Sequence, residues 1–99
     1  MPNLTEKEFS QHLGTKFVLK LEPQPIELEL VEVKGYLPQE NEQGGMERFS
    51  VFFDGPGIYL PQRVYTLTHE RMGDFEIFLV PVSGDEKGFR YEAVFNYFK

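Results

Sequence analysis

From Lys16 onward, apolar side chains recur mainly at every second position, and the runs are interrupted by Pro- and Gly-containing turns. Successive side chains of a strand point to opposite faces, so this period of two commits most of the chain to half-buried β-strands. Phe17, Leu19 and Leu21 alternate with Lys16, Val18, Lys20 and Glu22. Pro23-Gln24-Pro25 forces a turn, and Ile26, Leu28 and Leu30 then alternate with Glu27 and Glu29. At Leu30-Val31 the phase slips, and Val31 and Val33 carry the apolar face onward. One extra residue in an alternating strand is the mark of a β-bulge, which bends and twists the strand. Leu28 and Leu30 are expected to face the core, with Val31 or Val33 beyond the slip.

The remaining strands follow by the same logic. Leu37 to Gly45 reads as an exposed loop. A third strand carries Phe49, Val51 and Phe53 on one face and Phe52 on the other. Asp54-Gly55-Pro56-Gly57 is a turn. A fourth strand runs from about Arg63 to Thr68 with Tyr65 and Leu67 inward, and Gly73-Asp74 turns the chain again. Phe75 to Val82 is apolar on both faces, which places it centrally or under a cover. Pro81 limits its pairing on one side. Gly84 to Gly88 is a hairpin loop, and Phe89 to Phe98 is the last strand, with Phe89, Tyr91, Ala93, Phe95 and Tyr97 on one face.

The N-terminus breaks this pattern with a helix signal. Thr5 and Glu8 form a capping box, and Leu4 and Phe9 stand at the positions of a hydrophobic staple. Gly14 suits the residue just past a helix end. A helix over Glu6 to Leu13 is expected to dock through Phe9 and Leu13, four apart on one face. The fold class is therefore all-β with one short N-terminal helix, a small antiparallel barrel or sandwich of about six strands joined by hairpin-like connections. At 99 residues, with no linker and no repeat, residues 1–99 form a single domain.

Composition removes several function classes. There is no Cys, so no disulfide framework, thiolate zinc site or thiol nucleophile exists. No apolar run reaches the ~18 residues of a membrane span. The first residues lack the basic and apolar regions of a signal peptide, so a cytoplasmic protein without membrane contact is expected. The net charge is −6, and it sits between Glu22 and Glu47, where seven acidic residues meet only Lys34. Nucleic acid binding is not expected, because phosphates need a basic stripe. Glu27, Glu29 and, past the bulge, Glu32 form an acidic ridge. Such a ridge is a solvated face that deters edge-to-edge pairing, or a docking surface for a basic partner. No EF-hand spacing supports a metal site.

His12 and His69 stand in no catalytic or zinc pattern and read as structural or exposed. The glycine turns lack the P-loop form and open into no helix. The aromatics are more informative. Phe52, Phe78, Val80, Val94 and Phe98 fall on the face opposite the main alternating set. They are covered by the helix and loops, or they form an apolar patch for a protein partner or a second copy.

The pattern Leu4-Thr5, Phe9, Leu13-Gly14, then Leu28 to Val33, Phe49-Ser50, Phe53, Gly55-Pro56 and Leu60-Pro61-Gln62 resembles a small bacterial domain family of unknown function. The runs Ile77-Phe78-Leu79-Val80-Pro81-Val82 and Arg90-Tyr91-Glu92-Ala93-Val94-Phe95-Asn96 carry most of the likeness. The resemblance implies no activity, cofactor or catalytic residue. It implies genes placed beside phage-tail-collar-like proteins, hence an accessory of a phage-derived particle. The expectation is a non-enzymatic binding or assembly module without a cofactor. The alternative is a small-molecule-binding barrel with an aromatic-lined interior and a pocket of ~300 Å³ or more. An enzyme would show His12 or His69 with a carboxylate inside a cleft.

Overall fold

The computed structural model describes residues 4–35 and 46–98, with the side chains of Met46, Glu47, Tyr97 and Phe98 excepted. The expected loop Leu37 to Gly45 lies outside the described residues. One helix, α1 (Glu6–Ser10), precedes six strands: β1 (Lys16–Leu19), β2 (Ile26–Gly35), β3 (Met46–Gly55), β4 (Arg63–His69), β5 (Gly73–Asp85) and β6 (Gly88–Phe98). The strands close into an antiparallel barrel in the order β1-β2-β3-β6-β5-β4. The barrel alternative holds, and the sandwich does not.

The alternation does what the residue pattern requires. Phe17, Leu19, Leu28, Leu30, Phe49, Val51, Phe53, Leu67 and Leu79 are fully buried, and Tyr65, Phe75, Ile77, Tyr91 and Ala93 nearly so. The slip in β2 is a bulge at Val31: Leu30 pairs with Phe53, whereas Glu32 pairs with Phe52. It lets the first half of β2 pair with β1 and the second half with β3. A second bulge falls at Val82, between the pairs Pro81–Tyr91 and Ser83–Arg90. The barrel closes through a thin seam in which Val18 and Leu19 pair with Thr68 and Leu67. Asp74 braces it, accepting from Lys20 Nζ and from Thr68 Oγ1, both at 2.8 Å.

Three expectations need correction. The β3–β4 connection is not a hairpin, because β3 pairs with β2 and β6. The segment between β3 and β4 instead crosses one end of the barrel and buries Leu60. Tyr91 Oη holds it there, accepting from Leu60 N and donating to the Ile58 carbonyl, each at 3.1 Å. The first strand ends at Leu19, short of Leu21. The helix ends at Ser10, and Leu13 is 47% exposed rather than docked. The backbone after the helix is claimed by β2: Gly14 N donates to Leu30 O at 2.7 Å, and Leu30 N donates to Thr15 O at 3.1 Å. Gly14 takes φ 81°, a conformation that glycine adopts without a Cβ clash, and this leads the chain out of the helix.

Phe9 does dock. Thr5 caps the helix by accepting from Glu8 N at 3.1 Å. The fully buried Phe9 ring then meets Phe17, Phe49, Phe75 and Phe95 at centroid distances of 6.3, 6.0, 6.0 and 5.6 Å. These four rings come from β1, β3, β5 and β6, so the Phe9 ring plugs the barrel end opposite Leu60. With the helix seated in the mouth, the outward Val64, Phe78 and Val94 stay exposed, whereas Ser50, outward on β3, is fully buried.

Candidate functional site

The outer wall is built by the residues that alternate with the core. Inward Ile77 and Leu79 force Phe78 outward, and inward Ala93 forces Val94 outward. Phe78 is 49% exposed and Val94 66%. Phe52 and Val80 are half-buried on the same wall, and the Phe98 side chain lies outside the described residues. The cover suggested for the fifth strand is absent among the described residues: β5 is central, between β4 and β6, yet one face meets solvent. The register ties the members together. Val64, 52% exposed, pairs with Phe78 across β4 and β5. Phe52 and Val80 both pair with Glu92, one from each side. Val64 was not singled out from the sequence, although its place before inward Tyr65 marks it as outward.

The acidic ridge is an outer face of β2, but it is not uniformly free. Glu27 and Glu32 are exposed and Glu29 half-buried. Glu29 meets Lys16 Nζ at 3.3 Å across the β1–β2 pair. Beside Glu32, Arg90 donates to both carboxylate oxygens of Asp54, from Nε at 2.7 Å and from a terminal nitrogen at 3.2 Å. That pairing, with the Glu32 charge added, holds the Arg90 guanidinium above its ordinary pKa. Glu32 pairs directly with Phe52, so ridge and apolar wall are continuous.

The two histidines, far apart in sequence, meet at the plugged end. Their ring centroids are 4.6 Å apart, and His69 packs on Phe17 at 4.2 Å. His69 Nδ1 accepts from Arg71 N at 3.0 Å and Met72 N at 3.2 Å, shaping the β4–β5 turn. An acceptor nitrogen carries no proton, so the neutral ring carries its proton on Nε2. Nε2 therefore donates to Thr15 Oγ1 at 2.9 Å, and Thr15 Oγ1 donates to the His12 carbonyl at 2.6 Å. A nucleophile and its base need the opposite direction, hydroxyl to imidazole. Burial and the neighbouring His12 push the His69 pKa below its ordinary value. His12 Nε2 lies 3.6 Å from Glu8 Oε1, beside an open cleft of about 500 Å³ that also touches Lys16, Glu70 and Arg71. A second open cleft, about 410 Å³, lies between Asp54 and the Ser83–Arg90 hairpin. Among the described residues no His, Asp and Glu side chains converge in a group able to hold a metal ion. No helix among them is long and apolar enough to cross a membrane.

Comparison with curated proteins and with solved structures gives no match. A family model described as a domain of unknown function, DUF6916, matches residues 4–95, from the helix-capping segment through the Tyr91-to-Phe95 run. The chain belongs to the DUF6916 domain family.

Proposed function

We propose that the protein is a non-enzymatic binding or assembly module whose contact surface is the outer wall of β4, β5, β6 and β3. The observation that carries this reading is the exposure of Phe78, Val94 and Val64 on one wall while both barrel ends are plugged by the protein's own side chains. Large apolar side chains grouped on the surface of a folded domain mark contact sites. A ligand barrel is disfavoured, because the interior positions are filled by rings packed on one another: Phe17 and Phe53 lie 5.2 Å apart and Phe49 and Phe95 4.7 Å apart. The His12 cleft does bring a carboxylate to a histidine, but the proton direction at His69 and Thr15 argues against an activated hydroxyl there. A cytoplasmic accessory of a bacterial, phage-tail-related particle fits such a module and is the biological setting we favour. The test is affinity purification of the tagged chain, at native expression, beside a Phe78→Asp/Val94→Asp variant of matched thermal stability. The expected result is a partner recovered with the wild type and lost with the variant. Equal recovery with both would remove the outer wall from the reading.

A further inference from the structure

Resting on that reading of the outer wall, we infer that its partner is a basic amphipathic helix that places one cation on Glu92 and a second on Glu32, with apolar side chains between them. The register builds the recognition element. Glu32 pairs with Phe52, Phe52 with Glu92, and Glu92 with Val80. One row therefore crosses four strands as acid, apolar, acid, apolar, and Val94 and Phe78 flank it toward the plugged end. Glu92 is half-buried between Phe52 and Val80. Among the described residues it has no hydrogen-bond or ion-pair partner, for the nearby Arg90 is turned to Asp54. A carboxylate held among apolar side chains without a cation is a site that a partner's Lys or Arg completes, with the strength of a charge-assisted hydrogen bond.

Spacing and charge select the partner. Glu32 and Glu92 stand two strands apart, or ~10 Å at the usual strand separation. Residues seven apart on a helix are separated by ~10.5 Å and lie on one face, with positions three and four between them on that face. A helix laid across the strands with Lys or Arg at i and i+7 and Leu-like residues at i+3 and i+4 matches the row. A second copy does not. Each chain carries a net charge of −6, and a dimer with its two-fold axis on Phe52 would set Glu92 of one copy against Glu32 of the other.

The experiment is a titration of the ¹⁵N-labelled full chain with a synthetic helical peptide carrying Arg at i and i+7 and Leu at i+3 and i+4. A peptide with Glu replacing both Arg is the control. The expected result is shifts confined to Glu32, Phe52, Val80, Glu92 and Val94, about tenfold weaker binding by Glu92→Gln, and binding that weakens as salt rises. Equal affinity for the Glu peptide, or no effect of Glu92→Gln, would overturn the cation recognition while leaving the wall a contact surface. Self-association without peptide, abolished by Val94→Asp, would assign the wall to a second copy and overturn the basic partner. Shifts elsewhere on the barrel, with Val94→Asp changing neither binding nor association, would overturn this inference and the outer-wall reading together.

Discussion

Replacing Phe9 by Ala tests whether α1 is part of the barrel or an appendage to it. The ring is fully buried and touches rings from four strands. Removing it forfeits about 2 kcal/mol of transfer free energy. It also leaves a void on the order of 100 Å³, which at ~24 cal/mol per Å³ adds about 2 kcal/mol more. The sum, about 4 kcal/mol, is a large share of the ~5–15 kcal/mol that stabilises a domain of this size. Thr5→Ala removes only the cap bond to Glu8 N and should cost about 1 kcal/mol. Urea melts followed by far-ultraviolet circular dichroism read both. The expected ratio between the two losses is about fourfold, with one cooperative transition retained. A loss below about 1 kcal/mol for Phe9→Ala would refute the plug and show a barrel that closes its own mouth.

Four further outcomes follow from the same geometry. Because the folded state holds the His69 pKa below the ordinary 6.5, the unfolded chain takes up this proton first. This contribution to stability is complete above about pH 6.5 and is lost as pH falls from there through the lowered folded value. Melting across pH should show that slope reduced in His69→Asn, whose side-chain oxygen can still accept from the turn. Tyr91→Phe leaves the Leu60 N–H without its acceptor inside the barrel end and should cost about 1–3 kcal/mol in denaturant melts. Gly57→Ala would drive a methyl group into the backbone carbonyl of Glu86, so the β3–β4 and β5–β6 loops must part, at about 1–3 kcal/mol by calorimetry. Val94→Asp and Phe78→Asp should each shift stability by no more than about 1 kcal/mol, whereas Leu79→Asp should abolish folding in the same melts.

How much of this was legible in the residues depends on whether the cause was local. The bulge at Val31 was legible because one residue out of phase leaves a visible slip between Leu30 and Val33. The bulge at Val82 was not, because Val80, Pro81 and Val82 are all apolar and hide the phase. Thr5 and Phe9 were legible as cap and anchor, since each depends on neighbours within one turn. Leu13 misled because the backbone beyond Ser10 is held by Leu30, a contact outside the helix's own pattern. The β3–β6 pairing and the meeting of His12 with His69 are products of closure. Thr15 and His69 are 54 residues apart, and no local period records such a contact. The outer wall was readable as the complement of the core set. The half-buried position of Glu92 between Phe52 and Val80 needed the register.

The outer wall can be examined with a single reporter, because the chain contains no cysteine of its own. Val94→Cys places a unique thiol on β6, and Gln24→Cys places one on the exposed β1–β2 turn. The measurement is the rate of maleimide labelling of each, in the purified protein and in the cells that express it natively. Both thiols are expected to react freely in the purified protein, with position 94 alone protected in the cell. Labelling at position 94 as fast in the cell as in the purified protein would contradict the assignment of this wall as the contact surface.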